Sequence, residues 1–138
     1  MKVSIIGGTG FVGSYIIDEL IANDHIPRLL VRKGSEYKVI QSEKCEIISG
    51  DIDDENAIKE TLTGCDAIIY LIALIREFPA KKLTNERNLA VILITHDMGV
   101  IAETTNRVAV MKNGNLVELG TTKPVSYTHL TLPTIYSV

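Results

Sequence analysis

The sequence predicts an α/β chain: a doubly wound parallel sheet of about four to five strands, an added C-terminal β-hairpin and a loose tail. Three observations predict it. A short apolar run, Val3 to Ile6, enters glycines at 7, 8, 10 and 13 and continues as an apolar-periodic segment, Phe11, Val12, Tyr15, Ile16 and Leu20. The run Ala67 to Leu71 is apolar at every position, as a parallel strand covered by helices on both faces should be. Asn113-Gly114 stands between two apolar runs, and both residues of that pair tolerate the positive φ that a tight hairpin turn demands.

The first element reads as strand, tight turn, helix. Gly7 lets the chain turn where a Cβ would clash. Gly10 leaves room for a pyrophosphate to approach the backbone, and Gly13 lets helix and strand pack closely. The amides of the first helical turn have no partner inside the helix and face such an anion with the positive end of the dipole. The context, a strand before and a helix after, is the one that gives a glycine pattern meaning.

Pro27 to Val31 forms the second strand and ends in Arg32-Lys33, about twenty residues past the glycine turn. An acid at that place bonds the 2′-hydroxyl of NAD, whereas an arginine accommodates the 2′-phosphate of NADP. Arg32 therefore favours NADP over NAD, against the plainer reading of a solvated arginine at a strand end. Cys45 to Ser49 makes a third strand, closed by Gly50-Asp51. Asp53 or Asp54 caps a short helix, Glu55 to Leu62, with Ile58 and Leu62 on one face and Gly64 past its end. Asp66 leads into the strand at 67–71. Alternating strands and helices with short connections give a right-handed, doubly wound sheet.

With 138 residues, one domain or one domain plus a fragment is expected. The net charge of −3 and the lack of a basic stripe argue against a nucleic-acid binder. Cys45 and Cys65 read as buried free thiols beside core strands, without a disulfide framework or a metal site. No signal-peptide core stands at the N-terminus, and the longest apolar run, Ala67 to Ile75, is too short to span a bilayer. These features point to a soluble, cytoplasmic chain. Charge is uneven: residues 1–80 carry thirteen acids and eight bases, and residues 81–123 carry four and six. From Pro124 onward no residue is formally charged at pH 7.

The combination GGTGFVG at 7–13, Arg32, GDIDD at 50–54 and GCDAIIYLIA at 64–73 resembles the extended and atypical short-chain dehydrogenases, an NAD(P)-binding Rossmann family that includes NAD-dependent epimerases. Continued through IREFP at 75–79, it is most similar to the branch of NmrA-like proteins and the NAD(P)-binding accessory subunit of respiratory complex I. The resemblance implies that Gly7, Thr9, Gly10, Phe11 and Val12 wrap the pyrophosphate. It implies that Asp51 and Ile52 border the adenine, with a turn or capping acid the alternative for Asp51. It also places Leu71, Ile72 and Ala73 beside the ribose nearer the nicotinamide, with core packing the alternative.

Catalytic members of that family use a Tyr-x-x-x-Lys pair, the lysine lowering the tyrosine's pKa for proton transfer. None of Tyr15, Tyr37, Tyr70, Tyr127 or Tyr136 has a lysine four residues later, and no substrate-binding half follows. No catalytic residue is assigned.

A second zone, 81–123, reads as a strand at 91–94, Thr95-His96-Asp97, a helix over Met98 to Thr104 and a hairpin of Arg107–Met111 and Leu116–Leu119. LAVILITHDMGVIAETTNRVAVMKNGNLVELG at 89–120 resembles the end of an oligopeptide-type ABC transporter ATPase. The resemblance implies that His96 senses the ATP γ-phosphate. Yet no G-x-x-x-x-G-K-[ST] loop, LSGGQ-like signature or upstream Asp-Glu strand occurs, so His96 has no ligand to sense. His25 and His129 read as surface residues. The last zone, PVSYTHLTLPTIYSV, resembles a translated sequencing-adapter tail of the kind seen on fragmentary metagenomic reading frames, and a loose tail is expected there.

Three parts follow: an NAD(P)-binding half-domain at 1–80, an ABC-ATPase fragment at 81–123 and an unstructured tail at 124–138. Two motifs specific to different families point to a chimera joined near Ala80–Leu83, and the alternative is a single small α/β protein. The strand at 91–95 is expected to be able to pair beside 67–71 and cover an open sheet edge. The expected function is dinucleotide binding without catalysis. The alternatives are an ATP-binding subunit fragment for peptide import and a non-functional product. Beyond the dinucleotide, no nucleic-acid or membrane partner is expected.

Overall fold

A computed structural model of the chain describes residues 1–36, 43–72, 89–95 and 97–122. It divides into two units, Met1–Leu93 and Ile94–Val138. The first unit contains β1 (Lys2–Ile6), α1 (Phe11–Ala22), β2 (Ile26–Val31), β3 (Glu46–Ser49), α2 (Glu55–Leu62), β4 (Ala67–Tyr70) and β5 (Ala90–Leu93). Its five strands are all parallel, in the order β3-β2-β1-β4-β5.

Neighbouring residues of β1 serve opposite faces, as the two-residue period of a strand requires. Ile5 packs with Ile17 of α1, Leu29 and Val31. Ile6 packs with Ile58 and Leu62 of α2, Leu30, Ile68 and Tyr70. One helix therefore covers each face, and all four residues of β4 are buried between them. β5 does pair beside β4, with Ile69 opposite Ile92 and Tyr70 opposite Leu93. The third strand begins at Glu46 and leaves Cys45 outside it, half-buried, while Cys65 is buried.

The apolar periodicity of α1 is misleading in one respect. Phe11 and Tyr15 face outward, 74% and 64% exposed, and stack edge to face at 5.2 Å. The buried face is instead Gly13 and Ile17, flanked by the partly buried Ile16, Leu20 and Ile21. In α2 the cap is Asp54, whose carboxylate accepts from the amides of Asn56 and Ala57 at 2.9 and 3.2 Å. Gly64 follows in the left-handed region, φ 71°.

At the amino edge of the sheet Glu46 joins β1 to β2. It accepts from Lys2 Nζ at 2.8 Å and from Arg28 Nε at 2.6 Å, while Arg28 also donates to the carbonyls of Glu60 and Thr63.

The second unit contains α3 (Met98–Thr104) and the hairpin β6 (Arg107–Lys112) and β7 (Asn115–Thr121). Asp97 caps α3 through the amides of Gly99 and Val100. Asn113 and Gly114 have φ of 50° and 76°, the pair of positive values that closes a two-residue hairpin. Val110 and Met111 flank a register shift in the ladder. Ala73, Tyr37, His96 and the tail from 124 lie outside the described residues. Among the described residues no helix is long and apolar enough to cross a membrane.

Candidate functional site

The sheet order reverses at β1: β2 and β3 run outward on one side, β4 and β5 on the other. In an open parallel sheet the crevice outside the carboxyl ends of the strands at that reversal is where ligands bind. The chain leaves β1 there through the glycine turn. Gly7 has φ 92°, and a Cβ on it would stand 3.1 Å from both Leu71 Cβ and Ile72 Cγ1. Gly7, Leu71 and Ile72 are therefore brought together. Leu71 extends the pairing with β1, donating its amide to the Ile6 carbonyl at 2.9 Å.

The remaining glycines separate into two kinds. At Gly13 a Cβ would lie 2.5–2.6 Å from the backbone of Gly8, so the helix approaches the turn more closely than any side chain permits. At Gly10 a Cβ would meet only the Gly7 carbonyl oxygen, at 3.5 Å, an ordinary contact. Gly10 has an extended backbone open to any residue, φ −86° and ψ 173°. Among the described residues nothing demands glycine at 10, and the space its missing Cβ leaves is open.

Gly10 caps α1 without a side-chain hydrogen bond, and the first turn carries no acid. The helical ladder begins with Ser14 donating to the Gly10 carbonyl at 3.1 Å. The amides of Phe11, Val12 and Gly13 thus have no intrahelical acceptor and stand at the positive end of a twelve-residue helix. Thr9 is half-buried beside them.

Because every strand runs the same way, the other candidate residues fall along the same edge. Arg32 follows β2 directly and is exposed, and its carbonyl accepts from Ser35 in a turn through Gly34 at φ 81°. Asp51 follows β3. Its Oδ1 accepts weakly from the Asp53 amide at 3.5 Å, and its carbonyl accepts from Asp54 at 3.1 Å. Ile52 and Ile72 are partly buried against the α2 side of the core, and Leu71 against the α1 side. At these three positions core packing and the carboxyl edge of the sheet coincide.

Two close approaches are absent from the sequence reading. A Cβ at Gly8 would stand 2.5 Å from Leu29 Cδ2, and one at Gly50 would stand 2.4 Å from Ala57 Cβ. Both depend on the residue across the sheet or helix, a partner that local spacing does not name.

The site can hold an anion by amides and a helix end. Burial pushes the Tyr70 hydroxyl up, away from proton transfer near neutrality. Burial also raises both thiols, Cys45 further through the adjacent Glu46, so neither is an activated nucleophile. Among the described residues no cluster of His, Cys, Asp or Glu could hold a metal.

The chain is 35% identical over 72 residues to a decarboxylating sterol-4-alpha-carboxylate 3-dehydrogenase of Dictyostelium discoideum, covering 52% of this chain and 22% of that protein. A 47-residue stretch is 47% identical to the dipeptide transport ATP-binding protein DppD of Bacillus subtilis, covering 34% of this chain and 14% of that one. The fold overlays the crystal structure of the oxidoreductase ylbE from Lactococcus lactis with a TM-score of 0.54 and 27% identity, covering 67% of this chain and 47% of that one. The chain thus spans under a quarter of those two curated relatives. The NAD(P)H-binding family matches residues 7–117, from the glycine turn to the hairpin, and its nicotinamide dinucleotide suits the uncapped helix end and open Gly10 described above: the chain belongs to that family.

Proposed function

We propose that the first eighty residues are an NADP-binding module of a short-chain dehydrogenase- or epimerase-like protein, with no catalytic group of its own in this sequence. The open side of Gly10, at the end of a helix with no cap and no first-turn acid, carries this reading. The pyrophosphate lies on the amides of Phe11 and Val12, in a cradle formed by Gly7, Thr9 and Gly10, with Gly13 bringing the helix close. Arg32 meets the 2′-phosphate. Asp51 and Ile52 border the adenine, and Leu71, Ile72 and Ala73 border the ribose nearer the nicotinamide. The dinucleotide would supply hydride chemistry; these residues bind and orient it.

A fluorescence titration with NADPH, with NADH alongside, tests the proposal. Saturable NADPH binding is expected, lost in Gly10→Val and weakened about tenfold or more in Arg32→Ala, the scale of one charge-assisted phosphate contact. No binding of either dinucleotide to a folded sample sinks the cofactor reading.

The stretch similar to a transport ATPase supports a second reading, in which residues 81–123 descend from a peptide-import ATPase joined to the first part. Saturable ATP binding would favour this reading over the first, whereas the sequence holds no phosphate-binding loop and so argues against it.

A further inference from the structure

The loop that carries Arg32 also carries an acid that returns to the same edge of the sheet. Ser49, the last residue of β3, pairs across the sheet with Val31, the residue before Arg32. Ser49 Oγ donates weakly to Glu36 Oε1 at 3.4 Å, which places the half-buried Glu36 near the carboxyl end of β3. Among the described residues neither Arg32 nor Lys33 forms an ion pair with it. Its negative charge is thus set beside the strand end at which the proposed module would hold the adenosine ribose, and no described cation pairs with it.

We infer that Glu36 is a specificity-determining residue: its carboxylate opposes the charge of a 2′-phosphate and offsets part of the attraction of Arg32, so that the preference for NADPH over NADH is smaller than Arg32 alone would give. The inference rests on the dinucleotide reading above. A 2′-phosphate brings about −1.5 to −2 charges to this edge, whereas a 2′-hydroxyl brings none and can donate to a carboxylate. The acid therefore weakens one ligand and not the other. Salt screens an exposed interaction of this kind, so the discrimination depends on ionic strength.

The test is a titration of the full chain with NADPH, NADH, 2′,5′-ADP and 5′-AMP, at low and physiological salt. Glu36→Gln keeps an oxygen for Ser49 and removes the charge; it should raise the NADPH-to-NADH affinity ratio roughly three- to tenfold. Glu36→Lys should raise it further, 2′,5′-ADP should follow NADPH, and the gain should shrink as salt rises. Glu43→Gln, at the opposite end of β3, serves as a control for net charge and should leave the ratio unchanged. Dinucleotide binding with a ratio unmoved by both Glu36 variants overturns the inference alone. No binding of any of the four ligands overturns the dinucleotide reading beneath it.

Discussion

In the first unit Ile5, Leu29, Leu62 and Ile68 are wholly buried, whereas in the second Met111, Leu116, Val117 and Leu119 are each more than half exposed. Among the described residues of the second unit only Thr122 is buried. The strands are similarly apolar in both. What differs is what surrounds them. β1 has a strand on each side and a helix on each face, so alternate residues find partners in both directions. A two-stranded hairpin has one pairing edge per strand and is marginal by itself in water. An apolar strand is therefore a statement about surroundings as much as about sequence.

The largest test of that contrast is a pair of substitutions. Ile68→Ala should cost about 2–5 kcal/mol, because it opens a cavity between β4 and α2 that the close-packed core fills only partly. Leu119→Ser should change stability by no more than about 0.5 kcal/mol, since its side chain is 56% exposed. Urea unfolding of both variants checks this. Comparable losses would show that the hairpin is buried in solution and would break the contrast.

Local chemistry made much of the fold legible. Asp54, the apolar pair Ile58 and Leu62, and Gly64 bound α2 at Glu55–Leu62, as the caps and period predict. The Asn113-Gly114 turn forms the hairpin it signals. The glycine turn opens α1 as its motif predicts, and it does so at the strand-order reversal. What stayed hidden depends on partners distant in sequence. The outward turn of Phe11 and Tyr15 follows from Gly13 setting which face meets β1, against a periodicity that counts all apolar residues alike. The Lys2–Glu46–Arg28 bridge joins residues of three strands whose order no single segment encodes.

That bridge sharpens the comparison through pH, because it ties together only the first unit. Hydrogen bonds from Lys2 and then Arg28 hold the Glu46 carboxyl below its usual value of 4.5. A group depressed on folding adds stability that is complete above its unfolded value and is lost as pH falls through the folded one. Wild-type stability should therefore decline below about pH 4.5, and Glu46→Gln should remove that component while costing roughly 1 kcal/mol at neutral pH. Unfolding midpoints from pH 3 to 7 give the two curves. Parallel curves would mean that the carboxylate contributes nothing to folding.

The smallest expected effect separates two hydroxyls inside the same core. Ser4 and Thr61 are both wholly buried. Thr61 Oγ1 donates to the Ala57 carbonyl at 2.7 Å, whereas Ser4 Oγ has no partner among the described residues. A buried hydroxyl that gives up water without gaining a hydrogen bond costs free energy, and one that gains a bond roughly recovers it. Thr61→Val should therefore destabilise by about 1 kcal/mol, while Ser4→Ala should leave stability unchanged or raise it by up to about 1 kcal/mol. Thermal unfolding resolves the difference in sign. A loss at Ser4 as large as that at Thr61 would mean that its hydroxyl is bonded after all, to a water or to a residue outside those described, and that polar groups in this sheet are as fully satisfied as the apolar ones are packed.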